Sequence, residues 1–120
     1  MLKIYNNIIN NYKDYAVSHW NASKEGDYKT ANKYYSKLKK IYKQLMSNEE
    51  IRESVLDILL NDSNYAVRLW AASHSLGLGF QKNRAENILQ YIAKLSSEKA
   101  PSFEAKMTLE VWKEKGKLIF

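Results

Sequence analysis

Apolar side chains recur at three- and four-residue steps along this chain, and short polar or glycine-bearing breaks divide them into six runs. Residues 5–24 carry Ile8, Tyr12, Tyr15, Ala16, His19 and Trp20 at helical spacing, which predicts a first helix. Glu25-Gly26-Asp27 interrupts it: Gly26 permits a left-handed exit, and Asp27 suits the cap of the next helix. Over residues 28–46, Ala31, Tyr34, Tyr35, Leu38, Ile41, Tyr42 and Leu45 fall within about a third of a helical circumference. The six lysines of this stretch occupy the remaining arc. Ser47, followed by Glu50 at capping-box spacing, predicts a helix near 48–60 with Ile51, Val55, Leu56, Ile58, Leu59 and Leu60 as its apolar positions.

Asn61-Asp62-Ser63-Asn64 is rich in side chains that bond to their own backbone and reads as a turn. The segment that follows, 65–76, mixes alanines with large apolar residues. That mixture fits a short helix closely approached by a neighbour, and it stops around Gly77 and Gly79. Residues 82–96 hold Ala85, Ile88, Leu89, Ile92 and Leu95. Pro101 suits the first turn of a final helix carrying Phe103, Met107, Leu109, Val111 and Trp112. The tail Leu118-Ile119-Phe120 either packs back onto the helices or is mobile. The pattern predicts an all-α fold, a single domain over 1–120 with five or six antiparallel helices stacked as a short helical-repeat solenoid. Tyr15-Ala-Val-Ser-His-Trp20 echoes Tyr65-Ala-Val-Arg-Leu-Trp70, which is either an internal duplication or coincidence.

Charge sharpens this picture at one place. The formal net charge is +6, and Lys29, Lys33, Lys37, Lys39, Lys40 and Lys43 lie in a stretch without a single acid. Three readings of that run stand side by side: a solvated helix face, a steering surface for an acidic protein, or a phosphate-contacting surface for nucleic acid. Tyrosines 28, 34, 35 and 42 lie beside or among these lysines and can stack bases, although three of them also fall on the inferred core face. No run approaches the roughly 20 apolar residues of a membrane span, and the first residues lack the apolar block of a signal peptide. A cytoplasmic location is therefore expected. The absence of cysteine excludes disulfides and thiol chemistry.

Candidate chemistry is sparse. His19 and His74 each lack a second metal ligand at helical spacing, so a half-buried packing role is expected for His19 and a structural hydrogen bond for His74. Arg68, set among apolar residues after Asp62, can fork onto a carboxylate or onto carbonyls of the preceding turn and lock neighbouring helices. Glu49, Glu50, Glu53 and Asp57 read as an ordinary polar face. No phosphate loop, nucleophile elbow or zinc signature is present, so no enzymatic activity, cofactor or metal is expected.

Several residues carry a family resemblance. Gly26-Asp27, Ala31-Asn32-Lys33 and Leu38 resemble the "G-D-x-x-x-A-N-K" helix of the bacterial domain-of-unknown-function 2019 family. The likeness runs on through Val67-Arg68, Ala71-Ala72 and Leu76 to Phe103–Trp112, which is similar to that family's closing "M-T-L-x-x-W". It spans roughly residues 20–113. The resemblance implies a HEAT-like helical domain, found in some genomes near toxin–immunity loci, with no established catalytic, cofactor or binding residue. The tyrosine- and lysine-rich second helix departs from the family pattern, which shifts the expected partner-facing surface. The resulting expectation is a non-enzymatic protein-binding module, an immunity protein facing an acidic toxin domain. The alternative is a nucleic-acid-binding helical repeat using Lys29, Lys33, Lys37 and Lys40.

Overall fold

The computed structural model describes residues 2–95 and 100–120, and the fold is all-α. Six helices occupy the described residues: α1 (Leu2–Lys24), α2 (Tyr28–Ser47), α3 (Glu49–Leu59), α4 (Tyr65–Leu78), α5 (Lys82–Lys94) and α6 (Ser102–Lys115). They fall into two compact units, Met1–Leu59 and Leu60–Phe120, each of three helices. Among the described residues, no helix is long and apolar enough to cross a membrane.

In the first unit α2 folds back along α1, and α3 touches both. The reversal is built as the local sequence demands. Gly26 takes the left-handed conformation (φ 73°), and the Asp27 carboxylate accepts the Thr30 amide at 3.2 Å. That bond and the Thr30 hydroxyl hold the Asp27 carboxyl below its ordinary pKa. Ile8, Ile9, Tyr12, Ala16 and Ala22 of α1 and Ala31, Leu38, Ile41, Tyr42 and Leu45 of α2 are buried, with Tyr12 fully enclosed. Burial drives the Tyr12 phenol well above its usual pKa.

Ser47 is not the cap of α3. It ends α2, its hydroxyl donating to the Gln44 carbonyl at 2.9 Å, and Asn48 accepts the Ile51 amide instead at 3.1 Å. Two capping-type residues stand side by side here, and continuing α2 for one more residue moves the start of α3. Of the apolar positions expected in α3, Val55, Leu56 and Leu59 are buried, whereas Ile58 is exposed.

In the second unit α5 lies between α4 and α6, packing on both. The helix expected over 65–76 runs on to Leu78, so Gly77 is helical and Gly79 makes the exit. The Gly79 and Phe80 amides bond to the carbonyls of Leu76 and Ser75. At the other end, the Asn64 side chain accepts from the amides of Ala66 (2.8 Å) and Val67 (3.2 Å). Between these caps every residue from Ala66 to Leu76 is buried except Arg68. Helix α5 ends at Lys94, and the last residue of the expected 82–96 helix lies outside the described residues.

Helix α6 departs most from expectation. It buries Ala105 and Leu109 and leaves Phe103 and Met107 exposed, with Val111 and Trp112 half-buried. Trp112 donates its indole N–H to Glu86 of α5 at 2.6 Å, so its polar edge, rather than its bulk alone, ties α6 down. The tail packs back through Phe120, whose ring meets His74 edge-on at 4.7 Å.

The 15–20 and 65–70 hexapeptides sit in the middle of α1 and at the start of α4, so they occupy different places in their helices. Trp20 is half-buried with the Lys24 ammonium 5.4 Å from its ring centre, while Trp70 is buried. Their unlike placement favours coincidence over duplication.

Trp70→Ala should destabilise the fold by about 3–5 kcal/mol, the usual cost of emptying a buried aromatic site. Urea unfolding followed by circular dichroism measures this. A loss below about 1 kcal/mol would contradict the burial of that ring.

Candidate functional site

Helix α2 carries the expected lysine face because its apolar and basic positions keep to opposite arcs. Lys29, Lys33, Lys40 and Lys43 are exposed, and Lys37 and Lys39, at the two margins of the arc, are half-buried. Two of the six are held by aromatic rings. The Lys33 ammonium lies 5.5 Å from the Tyr34 ring centre, and that of Lys37 lies 5.1 Å from the centre of Tyr15 on α1. Tyr34 and Tyr15 themselves meet at 5.9 Å. The four candidate partner-binding lysines, 29, 33, 37 and 40, thus share one face with graded freedom.

Arg68 does not make the expected fork onto a carboxylate or turn carbonyls. Its guanidinium stacks against two tyrosines, 5.9 Å from the Tyr65 ring centre and 5.8 Å from that of Tyr91 on α5. The carbonyl-bonding role falls instead to Arg52, which reaches the carbonyls of Leu45 and Met46 at the end of α2 at 3.5 and 3.4 Å.

Around Arg68 lies an open pocket of about 510 Å³ lined by Leu60, Asn61, Arg68, Arg84, Asn87, Ile88 and Tyr91. Arg84 donates to the Gln81 side-chain oxygen at 2.8 Å and to that of Asn61 at 2.7 Å. Asn61 belongs to the turn before α4, so its bond to Arg84 joins that turn to the first turn of α5. The lining holds two arginines and no acid. Arg84, Asn61, Asn87 and Tyr91 were not singled out by their spacing in the sequence. The available signal was the Arg84, Ile88, Tyr91 stripe at helical steps, which puts a cation and a tyrosine on the same face as a core residue.

His74 is fully enclosed, with its ring edge-on to Trp70 at 5.5 Å as well as to Phe120. Burial lowers its pKa to about 3, so the imidazole is neutral at pH 7. His19 is half-buried, and burial lowers its pKa as well. His74 and Arg68 are on one helix but serve different ends, one sealed in the core and the other facing a pocket. Among the described residues, no three His, Asp or Glu side chains converge in a way that could hold a metal ion.

Comparison with protein families, curated proteins and solved structures finds no match to this chain.

The buried imidazole makes stability depend on pH. Its folded pKa, about 3, lies below the unfolded value near 6.5, so the unfolded chain binds the proton first. The associated stability is complete above about pH 6.5 and is lost as the pH falls toward 3, on the order of 1 kcal/mol per pH unit. Urea midpoints measured between about pH 7 and pH 5, above most carboxylate titrations, should fall for the native chain and fall less steeply for His74→Gln. Identical slopes would mean that the imidazole is not buried in its neutral form.

Proposed function

We propose that this chain is a non-enzymatic protein-binding module, an immunity protein that neutralises a cognate bacterial toxin, with the lysine face of α2 as its docking surface. The observation that carries the reading is an acid-free helix with Lys29, Lys33, Lys40 and Lys43 exposed along one side. A face of this kind attracts an acidic partner from a distance and speeds encounter. Stacking of Lys33 and Lys37 on tyrosine rings limits their rotamers, so less side-chain entropy is lost on docking. The toxin-specific part of the proposal draws on the motif resemblance at Gly26–Lys33 and Phe103–Trp112.

Nucleic-acid binding is the second reading, using Lys29, Lys33, Lys37 and Lys40. It is favoured by one feature, the Tyr28 ring, 73% exposed next to Lys29 and open to a stacked base. Against it, the Tyr34 and Tyr15 rings already face lysine ammonium groups, and Tyr42 is buried. Lysines also act as point charges, without the two-pronged base contact that arginine makes in sequence recognition.

Co-expression with a toxin encoded beside this chain tests the first reading. The native protein should restore growth, and Lys33→Glu with Lys40→Glu should lose that protection while keeping the native melting temperature. Failure of the native protein to protect would overturn it. The second reading requires labelled DNA or RNA to bind micromolar protein at about 50 mM salt, with an affinity that falls as salt rises and disappears in the same double variant. We expect no such binding.

A further inference from the structure

Helices α2 and α3 carry rows of opposite charge at the same repeat. Lys29, Lys33 and Lys37 stand at four-residue steps on α2, and Glu49, Glu53 and Asp57 stand at four-residue steps on α3. With about 1.5 Å of rise per residue, successive charges in either row are about 6 Å apart along the helix axis. All six side chains are exposed except Lys37, which is half-buried. We infer that a second copy of this chain occupies these rows, the lysine row of one copy docking on the acidic row of another. Four-residue ridges of two helices run side by side when their axes cross at about −50°. Lysines then lie along carboxylates for the length of the row, and neither row faces its own kind. Both rows belong to the first unit, so a two-fold arrangement sets lysine row against acidic row twice per dimer.

The choice of partner follows from charge. Residues 29–43 hold six lysines and no acid, whereas residues 49–57 hold four acids and a single base, Arg52. That base is half-buried and turned toward the carbonyls of Leu45 and Met46. Glu50 accepts from the Tyr5 hydroxyl at 3.4 Å, and Asp57 also interacts within its own chain, so Glu49 and Glu53 lead the acidic side. Exposed side chains with apolar surface adjoin both rows, Tyr28 beside Lys29 and Ile58 beside Asp57. Their burial adds the apolar area that exposed ion pairs lack. The net charge of +6 opposes the approach of two copies at long range. At about 0.1 M salt that field is screened beyond about 10 Å, whereas charges in contact still attract. The inference rests on the lysine-face reading only in using the same side chains, which a second copy covers until a more acidic partner displaces it.

Sedimentation equilibrium between about 10 μM and 1 mM chain, at about 0.1 M salt, tests this. The mean mass should rise with concentration above the 14.0 kDa of one chain and return to it at about 1 M salt. Lys29→Glu with Lys33→Glu should weaken association at least about tenfold, and so should Glu49→Lys with Glu53→Lys. Mixed in equal amounts, the two variants should associate within about threefold of the native chain, because each reversed row meets its complement. Circular dichroism checks that each variant is folded, and Glu53→Lys alone replaces the acidic pair if that variant is not. A native chain that stays monomeric up to about 1 mM, as expected if only an unrelated acidic protein fits the face, overturns the inference. So does association indifferent to both reversals, or no recovery on mixing. Toxin protection does not enter these measurements, so either reading fails or stands without the other.

Discussion

The second unit depends on enclosing α4 on nearly every side. A helix buried this completely cannot leave its polar groups to water, and most are answered from within, although the buried Ser75 hydroxyl finds no hydrogen-bond partner among the described residues. Asn64 takes two amides at the entry, the Gly79–Phe80 turn takes two carbonyls at the exit, and the Ser73 hydroxyl returns to the Leu69 carbonyl at 2.8 Å. Small residues complete the solution. Ala66, Ala71 and Ala72 are almost wholly inaccessible, and they let neighbouring backbones approach where larger side chains would hold them apart. The neutral imidazole of His74 belongs to the same arrangement, since a charged ring at that depth would be strongly disfavoured.

Cations are used in two different ways along the chain. On α2 they are lysines at the margin of a helix whose opposite side is core, numerous, mostly solvated and acting chiefly through their summed field. At the pocket between α4 and α5 they are two arginines, Arg68 against tyrosine rings and Arg84 bonded to the side-chain oxygens of Gln81 and Asn61. Ammonium groups on flexible stems suit long-range attraction, whereas an oriented guanidinium suits recognition of one chemical group at contact.

Helix α2 was legible in the sequence almost residue by residue, because its lysines and apolar side chains never exchange arcs and Gly26-Asp27 marks its start. Helix α6 was not. Phe103 and Met107 are as apolar as any core residue, but the side it buries is set by Ala105, Leu109 and the Trp112–Glu86 bond, and a neighbour's carboxylate leaves no trace in local periodicity. The shift of the α3 cap from Ser47 to Asn48 is a similar case, in which two residues with the same propensity compete and the preceding helix decides. Arg68 stands out in the sequence as a polar residue among apolar ones, but local spacing does not name its partners. An arginine among apolar residues suggests a carboxylate, whereas the Arg68 guanidinium stands against the rings of Tyr65 and Tyr91. Arg84 and Asn61 lie 23 residues apart and become neighbours only once the turn before α4 and the start of α5 are set side by side.

Gly79 carries a stereochemical consequence. Its backbone is left-handed (φ 74°), and nothing lies within 4 Å of where a β-carbon would stand. The site thus excludes ordinary side chains through their handedness alone, since an L-residue here clashes with its own carbonyl at a cost of about 1 kcal/mol. A residue of the opposite hand has no such clash. D-alanine introduced at this position by chemical ligation would occupy the same turn without strain, and would narrow the conformations open to the unfolded chain.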